Sequence, residues 1–379
     1  MSLNLFEFEV KRIFQEVGIP IPQGTVVSDP LEAGRVAAEM QGPVVIKPQV
    51  LAGGRGKAGR IGTANSPAEA EAIAKGMLGD TYNAWTIDKL LVEQKLDVAR
   101  ELYLSAIVDA QTGGLQLLAG GEGGQDVEQA SAGKEAVQVE QVDVFRGPGQ
   151  YQLRNLFGAI ALPSGQLKQA QSIASKLYTI LRRHGAQLVE INPLVITADG
   201  EVVAVDGKMR LDPNQMRLHP TITLTRDRFQ DELEFEAAEA GLSYVKLDGD
   251  IGVLCTGAGL TLATLDMIMR EGGKPANFLE FGGATYENAS QALSIVLKNP
   301  AVRVVLINTF GLVARADVIA DGLIKAIAQL KPEVPIFAAI RGTGEKKAAA
   351  LMQSAGIEPL GNLEEVVQKA VAAAQAGSR

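Results

Sequence analysis

The chain has 379 residues, 46% of them apolar, and a formal charge of −8. Its length accommodates two or three domains at roughly 150 residues each, with a sizeable core. The acidic balance argues against nucleic acid or an anionic membrane as a bulk partner. A single cysteine, Cys255, excludes an intrachain disulfide and a cysteine-based zinc cluster.

The first residues lack the basic-then-apolar pattern of a signal peptide, and no apolar run reaches spanning length, so a cytoplasmic protein is expected. A helix is expected over about Leu5–Val17, ending at Gly18. A strand at Gly24–Val27, a helix at about Pro30–Met40 and a strand at Val44–Lys47 follow. A strand at Arg60–Ala64, an Ala- and Glu-rich helix at about Pro67–Met77 and a short buried strand at Leu90–Glu93 come next. From Glu101 the pattern turns to long alternating strands, Leu102–Asp109 and Leu115–Ala119, then a long helix at about Ser164–His184. The stretch from Asp212 to Lys246 reads as a connector. Beyond Leu247, strands and helices alternate up to a last helix at Leu363–Ala376, which indicates a doubly wound parallel sheet.

The loop Gly53-Gly-Arg-Gly-Lys-Ala-Gly59 contains the dinucleotide spacing G-x-G-x-x-G, but extended residues follow it where that motif opens a helix. Nor is it a P-loop, because Ala58 offers no hydroxyl. It reads either as a flexible tip that covers a polyphosphate with Arg55 and Lys57 or as a solvated basic turn. Lys47, just before it, can reach the same phosphates as a point charge. Glu93 and Glu101 are candidate acceptors for an adenine amino group or a ribose hydroxyl, or exposed strand-end acids. Glu122-Gly-Gly124 is a further loop tip.

In Glu190-Ile-Asn-Pro-Leu-Val195 through Val205-Asp-Gly-Lys208, strands at Leu188–Ile191 and Glu201–Val205 flank an Asp199-Gly200 turn. Their pairing brings the oxygens of Asn192 and Asp206 to one end of the ribbon, which suits a phosphate-bound Mg²⁺ ion or simply a hairpin with polar ends. In the C-terminal half, Gly-rich turns fall at expected strand ends, at Thr256-Gly-Ala-Gly259, Gly282-Gly283-Ala284 and Phe310-Gly311. Helices starting there make anion sites, to which Arg315 can add charge, or are the ordinary turns of such a sheet. Cys255 is expected in the core. The two histidines, His184 and His219, read as solvated.

The segments Lys47-Pro-Gln-Val-Leu-Ala-Gly-Gly-Arg-Gly-Lys-Ala-Gly59, Arg100-Glu-Leu-Tyr-Leu104, Glu190-Ile-Asn-Pro-Leu-Val195, Val205-Asp-Gly-Lys208, Thr256-Gly-Ala-Gly-Leu260 and Gly273-Lys-Pro-Ala-Asn-Phe-Leu279 occur in one order. That order resembles the β subunit of succinyl-CoA synthetase, the ADP-forming succinate–CoA ligase, over essentially the whole chain. The resemblance implies an α/β protein with an ATP-grasp fold over 1–240, a small subdomain inserted at about 21–95, and a flavodoxin-like CoA-ligase domain over 241–379. It carries ATP contacts onto Lys47, Gly54, Arg55, Gly56, Glu93 and Glu101, and Mg²⁺ onto Asn192 and Asp206. A family threonine between the two glutamates is Leu96 here, and Pro22 sits where ATP-using members tend to have proline.

The same resemblance implies that ATP phosphorylates a histidine of an α-type, CoA-binding partner subunit, in an αβ or α2β2 hetero-oligomer. No catalytic residue is then expected on this chain, and CoA is met mainly through the partner. The acid and the phosphohistidine fall at Thr256, Gly282, Gly283, Gly311, Leu312 and Val313. Succinate enzymes usually read Val-Asn-Gly-Ala-Gly, Asp-Val-Gly-Gly-Gly-Ala and Asn-Ile-Phe-Gly-Gly-Ile-Val-Arg-Cys-Asp at these turns. Here they read Cys255-Thr-Gly-Ala-Gly259, Glu280-Phe-Gly-Gly-Ala284 and Asn308-Thr-Phe-Gly-Leu-Val-Ala-Arg-Ala-Asp317. The changes fall where the acid is expected, and they lean toward ATP-citrate lyase and citryl-CoA synthetase. A citrate-activating relative and a non-catalytic nucleotide-binding regulatory subunit are therefore the alternatives to a succinate or related-acid enzyme.

Overall fold

The computed structural model describes residues 3–40, 42–123, 137–212, 215, 222–281, 288–311 and 315–376. The chain divides into two compact units, Met1–Thr223 and Leu224–Arg379.

The strands of the first unit are β1 (Leu3–Asn4), β2 (Gly24–Val27), β3 (Val44–Pro48), β4 (Gly62–Ala64), β5 (Thr81–Tyr82), β6 (Trp85–Thr86), β7 (Leu90–Gln94), β8 (Val98–Val108), β9 (Leu115–Gly120), β10 (Gln138–Val142), β11 (Ala186–Thr197), β12 (Val202–Ala204) and β13 (Lys208–Leu211). They form a seven-stranded sheet in the order β1-β13-β11-β8-β9-β10, with β12 on β11, a four-stranded sheet β2-β7-β3-β4, and the β5-β6 pair.

The four-stranded sheet has its own core. Helices Pro30–Glu39 and Pro67–Met77 lay Ala33, Ala37, Ala70 and Ala74 against Ile46, Leu90 and Val92. Both helices begin on a capping side chain followed by proline. Asp29 accepts from the N–H of Leu31 at 2.8 Å, and Ser66 from that of Glu69 at 3.3 Å. Alternation on β3 and β7 sends Ile46 and Val92 into that core, which turns Lys47 and Glu93 to the opposite face.

On the large sheet Leu102, Leu104 and Ala106 of β8 alternate into a core closed by Ile173, Leu177 and Ile180 of the helix Ser164–His184. Each fully buried leucine there contributes about 1.5–3 kcal/mol. That helix has the expected span. The residues Glu101, Tyr103 and Ser105 belong to the other face of the sheet. Helix Glu7–Glu16 buries Val10 and Phe14, and the next-to-last link of the hairpin, Gly207, lies against it. A Cβ on Gly207 would stand 2.8 Å from Val10 Cγ1 and 2.9 Å from Phe14 Cε2, so only glycine allows this approach.

The second unit is a five-stranded sheet ordered β14-β16-β15-β17-β18, from β14 (Ser243–Lys246), β15 (Ile251–Cys255), β16 (Asn277–Glu280), β17 (Val304–Gly311) and β18 (Ile336–Gly342). β15 to β18 pair in parallel, as the alternation of strands and helices predicts, while β14 is an antiparallel edge. β14 lies inside the stretch read from sequence as a connector. Its four residues pair with β16 over Ser243↔Glu280 to Lys246↔Asn277, a long-range contact that no local pattern announces. Helix Gln150–Ala159 and strands β1, β10 and β13 are likewise absent from the expected elements.

Candidate active site

Helix Glu7–Glu16 carries Glu7, Val10, Lys11 and Phe14 on one stripe, because residues three and four apart share a face. Burying Val10 and Phe14 therefore draws Glu7 and Lys11 inward, to 4% and 3% exposure. The N-terminal end of this helix is tied to the four-stranded sheet. The Phe8 N–H donates to Gln49 Oε1 at 3.1 Å, and Lys89 lies 5.7 Å from the Phe6 ring centre.

Charged side chains from five segments meet there. Lys47 Nζ lies 2.9 Å from Glu7 Oε1, 2.9 Å from Glu93 Oε2, and donates to the Val205 carbonyl at 2.8 Å. Lys11 Nζ reaches Glu7 Oε1 at 2.9 Å and Glu93 Oε1 at 2.5 Å. Arg55 folds back from its loop. Its Nη1 donates to the Pro48 carbonyl at 2.8 Å, and its Nη2 to Glu7 Oε2 at 2.8 Å and, more loosely, to Asp206 Oδ2 at 3.4 Å. The loop is a closed turn. Ala58 and Arg60 donate to the carbonyls of Gly54 and Arg55, and the Tyr82 hydroxyl holds the Gly53 carbonyl at 2.8 Å. Lys57 is exposed.

The electrostatics follow from this geometry. Burial opposes charge on Lys47, yet Glu7 and Glu93 raise its pKa above the ordinary lysine value. Burial alone would raise the Glu7 carboxyl, but Lys11, Lys47 and Arg55 hold it well below its usual range. Burial and the Glu7 charge push Asp206 up, against the pull of Arg55, although 33% of its side chain remains exposed.

Asn192 and Asp206 sit at the open end of the hairpin. β11 and β12 pair as Leu194↔Ala204, Val195↔Val203 and Ile196↔Val202, and the Val205 N–H donates to the Pro193 carbonyl at 3.3 Å. Continued by two residues, that register sets Asn192 opposite Asp206. Gly200, at φ 86°, makes the expected turn. Among the described residues no group of three or more His, Cys, Asp or Glu side chains gathers to hold a metal. One carboxylate and one amide oxygen fit a hard divalent ion whose remaining ligands are water and phosphate, and a carboxyl pushed up by burial and then by a like charge is one that such a cation relieves.

Of the other expected contacts, Gly54 is exposed, Gly56 half-buried, and Glu101 exposed on β8 opposite Val195. Glu101 is thus placed on the open face of the large sheet, whereas Glu93 is buried in the charged cluster. On that open face Tyr103 lies beside Glu190, and burial together with the Glu190 charge pushes its hydroxyl up to about 12. Glu122 is exposed, and Gly124 lies outside the described residues.

In the second unit the Thr256 hydroxyl accepts the Phe310 N–H at 3.2 Å and ties the end of β15 to the end of β17. Glu280 Oε1 accepts the Gly257 N–H at 3.1 Å. Gly311 closes β17 opposite Gly342. Gly282, Gly283, Leu312 and Val313 lie outside the described residues, as does His219. Arg315 makes two hydrogen bonds of 3.1 Å to Asp317, which Lys347 also reaches at 3.2 Å. Cys255 is fully buried, as expected, and burial pushes its thiol up to about 12.

Glu7, Lys11 and Tyr103 escaped the sequence reading. A glutamate and lysine four apart on a helix ordinarily mark a solvated face; their one signal was sharing the stripe of Val10 and Phe14.

Residues 4–196 match the family model described as ATP-grasp domain, and residues 254–376 that described as CoA-ligase. The ADP-forming sulfoacetate-CoA ligase subunit SauC of Bilophila wadsworthia is 43% identical over 97% of this chain and 98% of its own length. The ADP-forming succinate–CoA ligase subunit beta of Chloroflexus aurantiacus is 41% identical over 98% of this chain and 99% of its own. Among solved structures, ATP citrate lyase from Methanothrix soehngenii in complex with citrate and coenzyme A shares the fold with a TM-score of 0.80, at 19% identity, over 98% of this chain and 100% of that one. With its ATP-grasp domain followed by a CoA-ligase domain, and relatives aligned end to end, the chain belongs to the family of β-type subunits of ADP-forming acid–CoA ligases.

Proposed function

We propose that this chain is the nucleotide-binding subunit of an ATP- and Mg²⁺-dependent acid–CoA ligase, with Lys47, Gly54, Arg55, Gly56, Glu93 and Glu101 contacting ATP and Asn192 and Asp206 holding the metal. The observation that carries this reading is the meeting of Lys47, Arg55, Glu93 and Asp206 in one buried cluster from separate segments. Lys47 and Arg55 supply positive charge to phosphate, and the turn Gly54–Gly59 holds Arg55 over the site. Magnesium, when bound, screens the transferring phosphoryl group.

The phosphoryl group passes from ATP to a histidine nitrogen of an α-type partner, releasing ADP. It then moves to a carboxylate oxygen of the acid, giving an acyl phosphate. The CoA thiol attacks the acyl carbon and phosphate leaves. Thr256, Gly282, Gly283, Gly311, Leu312 and Val313 are then assigned to the acid and the phosphohistidine. We further propose a short acid with a second anionic group. Succinate and sulfoacetate, the acids named for two full-length relatives, both have that form.

The test is ADP release by this chain co-purified with its α-type partner, across succinate, sulfoacetate, malate, citrate and acetate. Turnover with one of the short doubly anionic acids supports the proposal. Preference for citrate would move the chain to the citrate-activating reading, and nucleotide binding without turnover on any acid would make it regulatory.

A further inference from the structure

Three carboxylates (Glu7, Glu93, Asp206) face three cations (Lys11, Lys47, Arg55) in the charged cluster, so it is neutral with no nucleotide present. Lys47 Nζ donates to Glu7 Oε1 and to the Val205 carbonyl, and its third close contact is the 2.9 Å ion pair with Glu93 Oε2. Arg55 donates through Nη1 to the Pro48 carbonyl and through Nη2 to Glu7 and, more loosely, Asp206. Glu7 is common to both. Its two oxygens are split between them, Oε1 on Lys47 and Oε2 on Arg55, and its side chain is 1% exposed. A phosphate arriving at either cation meets a charge that Glu7 already pairs.

We infer that Glu7 is the resident counter-ion of the nucleotide site, supplying anionic oxygens to Lys47 and Arg55 until phosphate replaces them. This rests on the assignment of Lys47 and Arg55 to the phosphates of ATP. Glu7 is thus a positioning residue with two effects. It keeps two buried cations charged and in place when the site is free, and it competes with nucleotide for them. The competition makes a sharp expectation. Removing the carboxylate leaves a buried positive charge uncompensated, which destabilises the free form, and an arriving phosphate relieves that cost. A purely structural ion pair would weaken free and bound forms alike.

The experiment is calorimetric titration of the full-length chain with MgATP, with thermal unfolding of each form. Glu7→Gln keeps the side-chain volume and removes the charge. It is expected to melt lower than wild type without nucleotide, yet to bind MgATP more tightly, on the order of tenfold. Binding equal to or weaker than wild type overturns the inference. Should Glu7→Gln fail to fold, Glu7→Asp keeps the charge but withdraws it by one methylene from both cations; tighter binding supports the inference, and unchanged or weaker binding overturns it. Lys47→Met separates the two levels of the argument. If it binds MgATP like wild type, the assignment of the site fails; if it loses binding while the Glu7 variants gain none, only the role of Glu7 fails.

Discussion

Burial opposes charge on two polar groups of this chain, and what surrounds each decides the outcome. Lys47 stays charged inside the protein because Glu7 and Glu93 lie 2.9 Å away, so desolvation is outweighed. Cys255 has no cation beside it among the groups that set its pKa, only Thr264, Thr261 and the backbone of Asn308, and its thiol is pushed up to about 12. A thiol reagent at pH 8 should therefore leave the native chain unlabelled and modify one thiol after denaturation; rapid labelling of native protein would contradict the burial of Cys255. That placement was legible, since Ile251–Cys255 is an unbroken apolar run. The burial of Glu7 and Lys11 was not. Whether a helical Glu–Lys pair faces water or another layer depends on what packs against it, and here the partners Lys47, Arg55 and Glu93 come from 40 to 82 residues away along the chain.

In the second unit a small charged cluster fixes the start of the helix that follows β17. The helix Ala316–Leu330 carries in its first turn Asp317, whose side chain is only 6% exposed and accepts from Arg315 and Lys347. Hydrogen bonds from Arg315 and then Lys347 hold its carboxyl below the ordinary 3.8. A depressed folded-state value gives stability that is present above the unfolded value and lost as pH falls through the folded one. Asp317→Asn should thus melt lower than wild type at neutral pH, with the difference shrinking below about pH 4; a constant difference from pH 7 to pH 3 would contradict the ion-pair assignment. At this scale the parallel alternation of β15 to β18 and the Asp199-Gly200 hairpin were readable, because period and turn chemistry are local. β1, β13 and β14 were not. The first is two residues long and exists only through Leu3↔Leu211 and Asn4↔Arg210, and β14 only through β16. The hairpin also shows what local signals miss: β11 runs from Ala186 to Thr197, well past the expected strand, because β8 pairs along its length on either side of a register shift between Ile191 and Leu194.

For the molecule as a whole, the order of the motifs was enough to indicate two kinds of domain and the reaction class. The acid was not readable, because Thr256 and Leu312, which differ from the succinate pattern, carry no charge that would select one acid. Thr256 illustrates this, since its hydroxyl is engaged by the Phe310 N–H and so shapes the turn. A net charge of −8 also leaves anionic ligands to local groups, the part proposed for Lys47 and Arg55. No helix among the described residues is long and apolar enough to cross a membrane.

The central claim is that this chain delivers the γ-phosphoryl group of ATP, through Lys47 and its neighbours, to a histidine on a partner. The most direct measurement is transfer of radiolabelled γ-phosphate from MgATP in the co-purified complex, without acid or CoA. Wild type should place acid-labile, base-stable label on the partner subunit, and Lys47→Met should lower the rate by at least about a hundredfold, as expected when a phosphate-stabilising charge is lost. Label appearing on this chain instead, or transfer at the wild-type rate with Lys47→Met, would contradict the account.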